Sequence, residues 1–205
     1  MQFMETYPGE RQPFIVHVPR TVKLSRKQFW EFCQANRDWR CERTSEGDIV
    51  IMPPTGGESG AQNLELERQV GNWARVDGSG VAFDSSTGFD LPNGATRSAD
   101  VAWVRRAQLA GLTRHQKRGF LPLCPDFVIE LKSPTDALAP LQDKLREYIA
   151  NGARLGWLID PDARAVYVYR PDRPVERLDN PATLSGDTVL PGFVLDCSAL
   201  WEAGL

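Results

Sequence analysis

The sequence predicts an α/β (α+β) fold: a β-sheet packed by helices. Three helical segments with recognisable start or stop residues are interspersed with runs of short apolar strands. The turn "LPNG" splits two of those strands. The run "CPDFVIELKSP" (124–134) reads as a strand that passes through a short loop into a helix stopped by Gly152. A chain of 205 residues fits one domain of moderate size. With 41% apolar and 25% charged residues it has the material for an ordinary core, which excludes global disorder.

Taken in order, residues 1–22 read as an irregular arm broken by Pro8, Pro13 and Pro19, and residues 23–205 as one domain. Ser25 is a good N-cap for "RKQFWEFCQAN", where Phe29, Trp30 and Phe32 make a sticky face. "WRCERTSEGDIVIMPP" reads as a hairpin turning at "SEGD". "TGGESGAQNLELERQVGNWARVDG" is a loop entering a long helix, with Leu64, Leu66, Val70 and Trp73 as an imperfect stripe and Gly78 past its end. In "SADVAWV" strand alternation puts Asp100 and Ala102 on one face and Val101 and Trp103 on the other. After the 124–134 strand and its helix, "RLGWLID", "RAVYVYRP" and "DTVLPGFVLDCSALW" form a strand-rich tail.

Composition narrows the function classes. No apolar run approaches the ~18 residues that cross a bilayer. The start, "MQFMETYPGERQPF", lacks the apolar centre of a signal peptide. These features predict a cytoplasmic protein with no membrane contact. Cys33, Cys41, Cys124 and Cys197 are scattered, and His17 and His115 are the two histidines, which speaks against a Cys/His zinc site. A metal here would be bound by oxygen, as Mg²⁺ or Mn²⁺ are. The net charge of −3 counts against strong nonspecific nucleic-acid binding. It leaves room for a local patch: residues 101–125 hold no acid, and carry Arg105, Arg106, Arg114, Lys117 and Arg118. That segment is either a phosphate-contacting surface or a solvated basic loop.

Within "CPDFVIELKSP", Asp126, Val128, Glu130 and Lys132 share one strand face. Asp126 and Glu130 are four residues apart, about 13 Å on a strand, too far for one cation that needs its oxygens at about 2.0–2.6 Å. A carboxylate partner for Glu130 must come from a neighbouring strand. Asp100, which opens an apolar strand after a turn, fits that requirement, though a capping role is the simpler reading of Asp100 alone.

The ordered set "PPTGGESGAQNLEL", "TGFDLPNGATRSADVAWV", "PDFVIELKSPTD", "LQDKLREYIANGARLGWLIDP", "VYVYRP" and "LPGF" resembles the Uma-two family of restriction-endonuclease-like proteins, over roughly residues 20–200. The family is assigned to the PD-(D/E)XK nuclease superfamily. The resemblance implies a restriction-endonuclease-like core, a central mixed sheet flanked by helices, with an extra amino-terminal helix and hairpin and extra carboxy-terminal strands. It makes Asp100 the acid of the PD element, with Ala99 in place of the proline, and Glu130 and Lys132 the acid and lysine of the (D/E)XK element. It implies Mg²⁺ or Mn²⁺ held by Asp100, Glu130 and the Leu131 carbonyl, and hydrolysis of DNA phosphodiester bonds. Accessory candidates are Lys144 and Tyr148, which share a face of the following helix, and Glu58 and Glu65 on the earlier one. A homodimer is the expected assembly, since cutting both strands in one encounter takes two sites. The remaining alternatives are an inactive member of the fold that binds nucleic acid or protein, and a hydrolase of RNA or a smaller phosphodiester.

Overall fold

The computed structural model describes residues 13–202. The elements run β1 (Phe14–Val16), α1 (Arg26–Ala35), β2 (Arg40–Arg43), β3 (Ile49–Met52), α2 (Gly57–Asp77), β4 (Gly80–Phe83), β5 (Phe89–Asp90), β6 (Thr96–Arg97), β7 (Val101–Arg105), α3 (Arg106–Ala110), β8 (Phe127–Leu131), α4 (Leu138–Ala150), β9 (Leu155–Asp160), β10 (Ala165–Tyr169), β11 (Glu176–Asp179), β12 (Thr183–Ser185), β13 (Val194–Asp196) and α5 (Ser198–Trp201). No helix among the described residues is long and apolar enough to cross a membrane.

The central sheet has six strands in the order β11-β10-β9-β8-β7-β4. Its pairs are antiparallel except β8 and β9, which are parallel and joined by α4, so the sheet is mixed, as the family resemblance implies. Strand alternation sorts its two faces. Val101, Trp103, Phe127, Ile129 and Trp157 pack against Leu66, Val70 and Ala74 of α2 and against Leu195 and Leu200 near the carboxy terminus. Ala102, Val104, Val128 and Leu158 pack on the other side with Leu145 and Tyr148 of α4. Helix α4 lies close because Gly156 of β9 has no side chain: a Cβ there would meet Leu145 Cδ1 at 2.6 Å.

A second sheet, β1-β3-β2-β6-β5, is antiparallel throughout and carries the predicted hairpin as β2 and β3. Residues 98–100 carry the chain from β6 in this sheet to β7 in the central one, so Asp100 stands at the junction of the two.

Two local expectations change and a third stands. Part of the predicted irregular arm is structured: Phe14–Val16 pairs with β3, while residues 1–12 lie outside the described residues. The buried stripe of α2 is Leu66, Val70 and Ala74, whereas Leu64 is 67% exposed. Spacing of four keeps 66, 70 and 74 in line, and Leu64 falls to the other side of the helix. The predicted cap of α1 is present, with Ser25 Oγ accepting from the Gln28 amide and Gln28 Oε1 accepting from the Ser25 amide.

Candidate active site

The antiparallel register of β7 and β8, with Val101 opposite Ile129, brings Asp100 alongside Glu130. The Leu131 amide donates to Asp100 Oδ2 at 2.8 Å, which fixes the carboxylate against the end of β8. Asn63 of α2 donates to Asp100 Oδ1 at 3.4 Å, and an Arg40 guanidinium nitrogen of β2 is 3.5 Å from the same oxygen. Both lie on a cavity of about 700 Å³ that Asp100, Glu130, Leu131 and Lys144 also line.

Glu130 is almost wholly buried, at 3% exposure, on the face that meets α4. The ammonium beside it is that of Lys144, 2.9 Å from Oε1 and donating to Oε2 at 3.0 Å. The same Nζ donates to the Ser98 carbonyl at 2.9 Å and pairs with Glu42 Oε1 at 2.7 Å. Burial pushes the Glu130 carboxyl up to about 8, against the pull of Lys144, and the nearby Asp100 and Glu42 carboxylates add to the rise. Burial works the same way on Glu42, but Lys144 and Arg97 outweigh it and hold that carboxyl down to about 2. Two carboxylates on one lysine are thus driven in opposite directions. The Lys144 ammonium loses by burial and gains more from Glu130 and Glu42, so it stays charged above its ordinary range.

The donor set suits a hard cation. Glu130 Oε1 and Asn63 Oδ1 are buried and accept no aligned hydrogen bond. Among the described residues no group of three or more His, Cys, Asp and Glu side chains is gathered tightly enough to hold a metal by itself. Two carboxylates, with the rest of the shell left to water and phosphate, match the way Mg²⁺ is commonly held.

The structure does not bring Lys132 to Glu130. Strand β8 ends at Leu131, and the Lys132 amide still donates to the Ile159 carbonyl of β9, which puts Lys132 level with the end of that strand. Its Nζ lies 3.6 Å from Asp160 and 3.4 Å from Asp162. Alternation describes the strand, which stops one residue short of Lys132; the acids at and just past the end of β9 take its side chain. Lys144, predicted as an accessory residue, takes the place beside Glu130. Its helical companion Tyr148 is fully buried, with its hydroxyl unpartnered, and burial raises it well above the ordinary tyrosine range. Glu58, exposed in the first turn of α2, lines the cavity. Glu65 is turned away, held by Arg68 Nε at 2.7 Å and Gln69 Nε2 at 2.8 Å.

Against known proteins, the family profile described as "Putative restriction endonuclease" (Uma2) matches residues 26–198. The chain belongs to the Uma2 family. A crystal structure described as "a putative nuclease belonging to DUF820" from Anabaena variabilis superposes with a TM-score of 0.73 at 20% identity, covering 87% of this chain and 98% of the other. At that identity the likeness establishes a shared fold. A search of curated proteins returned no match.

In this Uma2 chain the basic segment is not at the cavity. Arg105 ends β7 opposite to Asp100, where Asp126 takes its Nε at 2.7 Å and its amide at 2.9 Å. Arg106 Nε donates to the Gly78 carbonyl at 2.6 Å. Arg114, Lys117 and Arg118 are exposed, and Lys117 lines a separate hollow with Trp30 and Phe120. Asp126, set aside on strand spacing, is therefore the anchor of Arg105 and Gln108. The sequence reading missed Arg40, Glu42, Asn63 and Arg97. One signal for two of them was present: Arg40 and Glu42 are two apart on β2, so they share a face.

Proposed function

We propose that the protein is a divalent-cation-dependent endonuclease that hydrolyses DNA phosphodiester bonds at Asp100, Glu130 and Lys144. The observation that carries this reading is the meeting, on one cavity, of two carboxylates from adjacent strands with a buried ammonium from α4. Mg²⁺ or Mn²⁺ held by Asp100, Glu130 and the Leu131 carbonyl would supply charge neutralisation at the phosphate and a lowered pKa for the attacking water.

The chain's own residues do the rest. The Leu131 amide holds Asp100 in place. Asn63 and Arg40 keep its second oxygen oriented toward the cavity. Lys144 presents a positive charge from a largely buried position, where it stabilises negative charge far better than it would in bulk water. Its N–H now donated to Glu130 becomes available to a phosphate oxygen once Glu130 is engaged elsewhere. In this reading Lys132 ties the end of β8 to β9 through Asp160 and touches no substrate.

The protein acts in the cytoplasm in this reading, and as a homodimer when both strands are cut in one encounter, a stoichiometry that light scattering measures. The test is nicking of supercoiled plasmid in Mg²⁺ or Mn²⁺, with EDTA as control. Wild type nicks, and Asp100→Asn and Glu130→Gln do not. Nicking that persists in both variants overturns the assignment. Cleavage of RNA in preference to DNA would move the substrate class and leave the site standing.

A further inference from the structure

Glu42 has no place in the chemistry just described, yet it is a carboxylate at 3% exposure. Burying such a group is costly unless it is paired. Its partners come from three parts of the fold. Arg97 of β6 reaches Oε2 at 3.1 Å, the Ser98 amide donates to Oε1 at 3.0 Å, and Lys144 Nζ of α4 pairs with Oε1 at 2.7 Å. Arg97 is held in turn by Glu147 Oε2 at 2.6 Å. Lys144 and Glu147 are three apart on α4 and share a face. The helix is therefore clamped to the second sheet by two crossed ion pairs, Lys144 on Glu42 and Glu147 on Arg97.

We propose that Glu42 is the positioning residue of this site: from the neighbouring sheet it fixes the Lys144 ammonium at the cavity. The proposal rests on the nuclease reading for its consequence in catalysis, and on the ion-pair geometry for the positioning itself. A lysine stem is flexible, and without an anchor its ammonium samples several rotamers. Glu42 does not line the cavity, so its action passes through Lys144. The second sheet thereby becomes part of the active-site apparatus, because β2 delivers the anchor and the 98–100 crossing carries both the Ser98 amide and Asp100.

Glu42→Gln tests this in the full chain, with exposed Glu31→Gln on α1 as control. In ¹⁵N-labelled protein, wild type gives a slowly exchanging lysine ammonium signal that Lys144→Met removes, which assigns it. We expect Glu42→Gln to abolish that signal and Glu31→Gln to keep it. In steady-state cleavage Glu42→Gln lowers kcat on the order of 10–100-fold, as a misplaced catalytic group does, with KM changed by less than about twofold. Added to Lys144→Met it has no further effect, whereas a purely structural role would lower activity equally in both backgrounds. If Glu42→Gln does not fold, Glu42→Asp, one methylene shorter, carries the same comparison. An unchanged ammonium signal, or an equal loss in both backgrounds, overturns the proposal. If wild type cleaves no DNA, the nuclease reading fails while the spectrum still decides whether Glu42 holds Lys144.

Discussion

Lys144 Nζ stands 2.9 Å from Glu130 Oε1, although the two residues lie on different elements and the lysine two places after Glu130 points elsewhere. A helix that packs across the carboxy-terminal end of β8 supplies the cation that the strand's own E-x-K run suggests Lys132 should supply.

Cation binding will depend on pH because Glu130 is raised to about 8 by burial. Below that value the carboxyl keeps its proton and competes poorly for a metal. Mn²⁺ affinity is therefore expected to rise between pH 7 and pH 9, with proton release on binding. Calorimetry in two buffers of different ionisation enthalpy measures both. Glu130→Gln should remove the pH dependence together with most of the affinity.

Stability should carry two opposed slopes. Glu130 has a folded value above the ordinary one near 4.5, so the folded state holds a proton that the unfolded chain releases. That contribution is present in acid and is lost as pH rises toward about 8. Glu42, held down to about 2, contributes stability above its ordinary value that is lost as pH falls through the acid range. Thermal melts of the cation-free protein from pH 3 to pH 9 are the check. Glu130→Gln should gain relative to wild type as pH rises, and Glu42→Gln should lose relative to wild type at neutral pH and converge with it in acid.

The seat of α4 depends on Gly156. A methyl group there would overlap Leu145 Cδ1, a side-chain end that can give only partly inside a packed core. Gly156→Ala is expected to cost about 1–3 kcal/mol in urea denaturation. It should also reduce cleavage by shifting Lys144, which sits beside Leu145 on the same helix.

Much of the fold was legible in the sequence because it rests on local signals. The Ser25 cap, the "LPNG" turn and the alternation of β7 and β8 each have a short-range cause, and each stands where expected. Distance removed Asp126 as a partner of Glu130 and called for an acid from a neighbouring strand; the family resemblance pointed to Asp100, which the register of β7 and β8 sets alongside Glu130. Long-range contacts were less legible. Nothing in "TRSAD" announces that β6 and β7 belong to different sheets, yet that crossing is what lets Glu42 reach Lys144. Alternation predicted a face for Lys132 and could not assign its direction, which Asp160 at the end of β9 and Asp162 in the turn after it set. Charge patterning located a basic run and not its place: the arginines and lysine of segment 101–125 start at Arg105, the end of β7 away from Asp100.

Single-turnover plasmid cleavage, at saturating Mn²⁺, by Lys144→Met and Lys132→Met compares the two lysines directly. Lys144→Met is expected to lose on the order of 10²-fold or more, and Lys132→Met to run near the wild-type rate. The reverse order, with Lys132→Met inactive and Lys144→Met active, would contradict the assignment of Lys144.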